Sequence, residues 1–190
     1  LLLAPAAWAD CPRIVSQSPY ITHTLQWLGL EAYIVGVSRY DTLDRPRTGG
    51  VMDPDGAAIA ALKPDLILTS DWTRPETLAK VTPANAQALT LHGFDHLAQI
   101  GDNLRRIGQA AGLPDAEARA AAFKAELSQR MASIRGDGQR TLLLSACGGL
   151  PYTFGPGTWL ADLFGQLGLE VVASRPDTHM LTGAAPADAI

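Results

Sequence analysis

The stretch from Pro114 to Arg135 constrains the fold more than any other. It reads PDAEARAAAFKAELSQRMASIR, with no glycine and no proline after its first residue. Pro114 suits a first helical turn, and Asp115 and Glu117 suit the positive end of a helix dipole. Arg130 and Arg135 suit the other end. Phe123, Leu127, Met131 and Ile134 recur at spacings of four, four and three, which makes one apolar face. About 20 residues of helix span roughly 30 Å, the width of a small domain. Strand-and-helix units lie before this stretch and a fresh strand follows it. The expectation is a strut between two lobes, the alternative an ordinary surface helix of one domain.

The segments before the strut alternate between strand and helix. Arg13 to Ser16 reads as a strand, followed by a helix from Ile21 to Leu28 closed by Gly29. Tyr33 to Val37 is continuously apolar, as in a parallel strand buried on both faces. A polar loop ends in Thr48-Gly49-Gly50, and Asp53 is expected to cap the next helix with Pro54 in its first turn. Leu66 to Thr69 is a third strand, a helix starts at Pro75, and Ala88 to Leu91 is a fourth strand. Asp95 is expected to cap a helix carrying Leu97, Ile100, Leu104 and Ile107, which Gly112 ends. This alternation implies a parallel sheet covered by helices on both faces.

After the strut, Thr141 to Ala146 reads as a strand. Gly148-Gly149 and Pro151-Tyr152-Thr153 read as its terminal loop, Trp159 to Leu167 as a helix and Glu170 to Val172 as another strand. The fold class is therefore α/β, with two Rossmann-like lobes and parallel sheets joined by one long backbone helix. Residues 10–113 form the first lobe, 114–135 the linking helix and 136–190 a second lobe that reads as partial. Residues 1–9 resemble the end of a secretory leader, with Ala7-Trp8-Ala9 as a small-x-small cleavage site. Export from the cytoplasm follows from that reading. Cys11 and Cys147 fit either a bridge, which export permits, or two free thiols.

With 190 residues, 18% charged and a net charge of −4, the chain shows no basic run interleaved with aromatics, so nucleic acid is not an expected partner. No segment approaches 18 uninterrupted apolar residues. Phosphate-binding glycine loops, a nucleophile elbow and close metal-ligand spacing are all missing, so no catalytic residue, metal site or cofactor is assigned.

In open parallel sheets, ligands bind beyond the C-terminal ends of the strands. Ser18, Tyr20, Arg39, Tyr40, Trp72, Thr73, Arg74, His92 and Phe94 fall there, with Tyr152, Thr153 and Trp159 from the second unit. The candidate ligand residues are Tyr20, Arg39, Tyr40, Trp72, Arg74, His92 and Tyr152. Aromatics with some arginine suit a large, flat or partly apolar ligand bearing negative charge.

Ile14-Val15-Ser16 with Ser18-Pro19 and Leu28-Gly29, then Ile34-Val35-Gly36-Val37, then Gly49-Gly50 with Ala61-Leu62-Lys63-Pro64-Asp65-Leu66-Ile67-Leu68, occur in order. With the segment from Gly155 to Leu169 they resemble the periplasmic substrate-binding proteins of ABC importers for ferric siderophores, haem and cobalamin. The resemblance runs from about Arg13 to Val172. It implies a monomer that captures a metal chelate between two lobes and delivers it to an importer permease in the inner membrane. It also implies docking through one acidic residue per lobe. Asp162 matches the second-lobe position. Ala57 occupies the first-lobe position, so Asp55 is the expected stand-in. A cytoplasmic small-molecule or cofactor-binding module and a secreted enzyme using the same cleft are the alternatives.

Overall fold

A computed structural model describes residues 12–92, 95–147 and 150–180. The leader-like residues 1–9, Cys11, Phe94 and the double glycine at 148–149 lie outside them. The chain divides into two compact units: residues 1–92 with 103–119, and residues 93–102 with 120–190.

The first unit is built on β1 (Ile14–Ser16), β2 (Ile34–Val37), β3 (Leu66–Ser70) and β4 (Gln87–Leu91). They form one sheet in the order β2-β1-β3-β4, every pair parallel. Side chains alternate between faces along a strand. Val15 and Ile67 pack on one face with Ile59, Leu62 and Val81. Ile14, Leu66 and Leu68 are equally buried and belong to the other face. A sheet buried on both faces cannot show apolar-polar alternation, which is why these strands read as continuous apolar runs.

The connections are α1 (Pro19–Trp27), α2 (Gly56–Ala61) and α3 (Pro75–Val81), then α4 (Ala98–Ala110) and α5 (Ala116–Met131). Two expected caps are displaced. Asp55, not Asp53, caps α2, its Oδ1 accepting from the Ala57 and Ala58 backbone N–H groups at 3.0 Å each. Pro54 holds the chain extended just ahead of it, so the first residue able to turn a carboxylate onto the helix is Asp55. At α4, Asp95 does not cap. The Gln99 side chain reaches back to the Asp95 and His96 N–H groups at 2.9 and 3.0 Å.

The helix α5 is continuous but shorter than the 114–134 period suggests. Ala116 and Ala120 are buried, and Phe123, Leu127 and Met131 carry the same face onward, half-buried. Ile134 falls beyond the helix end and is 48% exposed. Arg135 donates to the Ala132 and Ile134 carbonyls at 2.6 and 3.0 Å, consuming the acceptors that a further turn would use.

The second unit contains β5 (Arg140–Thr141), β6 (Leu144–Cys147), β7 (Leu150–Phe154), α6 (Trp159–Gln166), β8 (Glu170–Val171) and β9 (Thr178–Met180). β5 and β8 pair in parallel. β6, β7 and β9 pair antiparallel, so Pro151, Tyr152 and Thr153 are strand residues and not a terminal loop. β6 and β7 are paired with Cys147 opposite Leu150. Thr158 caps α6, its hydroxyl accepting from the Ala161 N–H at 3.3 Å.

Candidate functional site

Parallel strands bring their C-terminal ends to one edge. In the first unit that edge carries Tyr20 after β1, Arg39 and Tyr40 after β2, Trp72 and Arg74 after β3, and His92 after β4. Six of the seven candidate ligand residues therefore share one edge. With strands about 4.8 Å apart, the shelf from the end of β2 to the end of β4 spans about 14 Å. Tyr152 belongs to the second unit, within β7, opposite Ser145 and Met180.

The loop after β2 is held by buried polar bonds. Thr22 on α1 donates to Asp41 at 2.6 Å, and Asp41 accepts the Leu43 N–H at 3.0 Å. Gln17 donates to Thr48 at 2.9 Å, and Thr48 donates to the Val37 carbonyl at 3.0 Å. These groups are almost fully buried. A buried polar group is costly unless it is bonded, so the loop is fixed where it meets the sheet.

The double glycine makes the next turn. Gly49 has φ +86°, and a Cβ there would lie 2.6 Å from both the Asp53 carbonyl oxygen and the Asp55 nitrogen. Gly50 and Asp53 exchange backbone hydrogen bonds at 3.2 and 3.3 Å, which leaves Val51 and Met52 at the tip. Thr73, buried after β3, donates to the Val51 carbonyl at 2.5 Å and lies 2.5 Å from the Thr69 hydroxyl. This staple ties the Met52 loop to the Trp72 loop.

Three side chains on these loops are exposed: Tyr40 at 69%, Met52 at 72% and Trp72 at 64%. Large apolar groups exposed on neighbouring loops make this edge the candidate ligand surface. Arg39 lies against this group. Its Nη2 is 2.6 Å from Asp53 Oδ2 and its guanidinium carbon is 5.9 Å from the Tyr40 ring centre. Arg74 is also exposed, and among the described residues no ion pair engages it. His92 Nδ1 lies 3.8 Å from Asp71 Oδ2. Both residues line a cavity of about 670 Å³, together with Thr73, Leu78, Thr82 and Ala88, among others. The described residues hold no cluster of three or more His, Cys, Asp or Glu able to bind a metal ion.

The two acidic residues singled out for docking have structural partners. Asp55 is exposed and caps α2. Asp162 is half-buried on α6, with Oδ2 accepting the Leu97 N–H at 2.7 Å and the Gln166 side-chain amide at 2.9 Å. It is less open to the outside than an unpaired surface acid, because it also serves the residue just ahead of α4. Sequence reasoning missed Asp41, Gln17, Met52 and Asp53. The side chains that Asp41, Gln17 and Asp53 meet lie 14 to 31 positions away, so no local spacing announces them.

A family model described as periplasmic binding protein matches residues 14–189. No curated protein matches the chain significantly. Among solved structures, the periplasmic haem-binding protein RhuT from Roseiflexus sp. RS-1 is similar, with a TM-score of 0.76 at 23% identity over 91% of this chain and 71% of that one. The periplasmic vitamin B12 binding protein BtuF of Vibrio cholerae gives 0.72 at 22% identity, over 90% and 71%. An ABC transporter substrate-binding protein from Listeria monocytogenes EGD-e gives 0.68 at 22% identity, over 91% and 70%.

Proposed function

Because the chain belongs to the periplasmic binding protein family, we propose that it captures a metal chelate outside the cytoplasm and hands it to an ABC importer. The observation that carries this reading is the exposed trio of Tyr40, Met52 and Trp72 beside Arg74 on one sheet edge. Aromatic faces bind the planar or apolar parts of a ferric siderophore, haem or corrinoid, and an arginine meets its acidic groups. Tyr20 and His92 extend the same wall, and in this reading Tyr152 is a ligand residue of the second unit. The protein performs no chemistry on its cargo in this reading. It acts as a monomer, without a cofactor of its own, in the periplasm.

Delivery requires contact with a permease. Asp162 and Asp55 are the acids assigned to that contact, each keeping its capping bonds while offering its remaining oxygen lone pairs. Rim charges of this kind set encounter rate and specificity more than affinity.

The test is a titration of tryptophan fluorescence with haemin, cyanocobalamin, and ferric and iron-free siderophores. Saturable quenching by one class supports the reading and names the cargo. A full-length protein that binds none of them would refute it.

A further inference from the structure

We infer that Asp53 sets the ligand preference of the first unit's wall: it neutralises Arg39, makes Tyr40 an uncharged aromatic platform, and leaves Arg74 to meet a ligand's acidic group. This deepens the chelate reading above and rests on it.

The argument starts from the double glycine. A Cβ on Gly50 would lie 2.5 Å from Asp53 Oδ1, 3.3 Å from Tyr40 Cε2 and 3.6 Å from Arg39 Nε. The bare face of Gly50 is thus the seat on which the carboxylate, the ring and the guanidinium converge. Arg39 is anchored at its backbone too, its N–H donating to the Gly49 carbonyl at 2.7 Å. Its Nη2 reaches both the Asp53 carboxylate at 2.6 Å and the Asp53 carbonyl at 3.4 Å.

An arginine beside an exposed aromatic ring would ordinarily attract a ligand's acid to that ring. Here a carboxylate of the same loop already occupies the guanidinium. An incoming acid must compete with a neighbour held within the molecule, which acts at high effective concentration. Arg39 therefore stiffens Tyr40 from one side and adds no net charge to it. Arg74, on the loop after β3, has no such partner among the described residues. A ligand suited to this wall lays a neutral face on Tyr40 and turns its acidic group toward Arg74.

The pair is about half exposed, 46% and 65% for the two side chains, so its loss leaves the fold intact. Asp53 also keeps its backbone bonds to Gly50 whatever its side chain. The experiment places a reporter at the platform with Tyr40→Trp and compares quenching of the added fluorescence by iodide and by neutral acrylamide. With Asp53 present, iodide gains no advantage over acrylamide. Adding Asp53→Asn should raise iodide quenching about two- to threefold, as one uncovered unit charge would at this range, and high salt should abolish the rise. Arg39→Gln should lower it instead. Unchanged iodide quenching in both variants overturns the inference.

A second arm uses the native Tyr40. Asp53→Asn should strengthen binding of haemin, a dianion, by about threefold relative to cyanocobalamin, which carries no net charge. An unaltered ratio overturns the role in preference. If haemin, cyanocobalamin and the ferric siderophores all fail to bind the wild-type protein, the chelate reading fails, and the quenching arm still decides the role of Asp53.

Discussion

Alanine at Gly49 should destabilise the protein far more than alanine at Gly50. Gly49 sits at φ +86°, where an L-residue loses about 1–2 kcal/mol. Its added Cβ would also press on the Asp53 carbonyl oxygen, the Asp55 nitrogen and Pro54 Cα, at 2.6, 2.6 and 3.0 Å. All three are backbone atoms inside a closed turn, so the turn itself must open. Opening it also strains the bond from the Asp55 N–H to the Thr48 carbonyl, 2.9 Å. The total is about 2–4 kcal/mol, and for a chain of this size each kcal/mol lowers Tm by roughly 2–4 °C. Gly50 has no positive φ, and its nearest obstacles are side-chain ends, Asp53 Oδ1 and Tyr40 Cε2. Those ends are exposed and can swing aside, at a cost under about 1 kcal/mol. Thermal melts followed by circular dichroism should therefore show Gly49→Ala lowered by about 5–10 °C and Gly50→Ala almost unchanged. The Arg39–Asp53 seat is displaced only in Gly50→Ala with the fold intact. Equal melting of Gly49→Ala and wild type, or a larger loss in Gly50→Ala, would refute the account of this turn.

Thr73→Val should cost about 2 kcal/mol by stranding the Val51 carbonyl and the Thr69 hydroxyl, and Thr73→Ser should recover most of it, both read from urea melts. Asp162→Asn keeps an acceptor for the Leu97 N–H but removes the charge, so transport in vesicles should fall while Tm and ligand affinity hold. Asp162→Ala should lower Tm as well, by the loss of a cap worth about 1 kcal/mol. The Arg119 guanidinium, its Nε 2.9 Å from Asp115 Oδ1, holds the Asp115 carboxyl below its ordinary range. A depressed carboxyl contributes stability above its unfolded pKa and loses it as pH falls through the folded one. Arg119→Met should move the Asp115 titration upward, measured by carboxyl-carbon NMR.

The first unit was legible in the sequence because its signals are local. Continuous apolar runs such as Leu66-Ile67-Leu68 mark strands buried on both faces, and the alternation with helices fixes their parallel order. The position of Tyr40, Trp72 and His92 follows from that order alone. The second unit was less legible. A five-residue strand such as β7 opens with Leu150-Pro151, and proline argues against a central strand until a hairpin partner is known. β9 has three residues, too few for a period to register. Capping also misled: Asp53 has the right residue type, but a salt bridge to Arg39, fourteen residues away, claims its carboxylate. Asp95 loses its capping role to Gln99 and to Asp162, which is 65 positions from Leu97. Contacts of that separation leave no trace in local spacing.

The central claim is that the C-terminal edge of the first unit's sheet is a wall of the ligand site. The most direct measurement is calorimetric titration of wild type and Trp72→Ala with whichever chelate quenches tryptophan fluorescence. A central aromatic anchor is worth about 2 kcal/mol or more, so the variant should bind roughly thirtyfold more weakly, with its Tm unchanged. Equal affinity in the two proteins would contradict the claim.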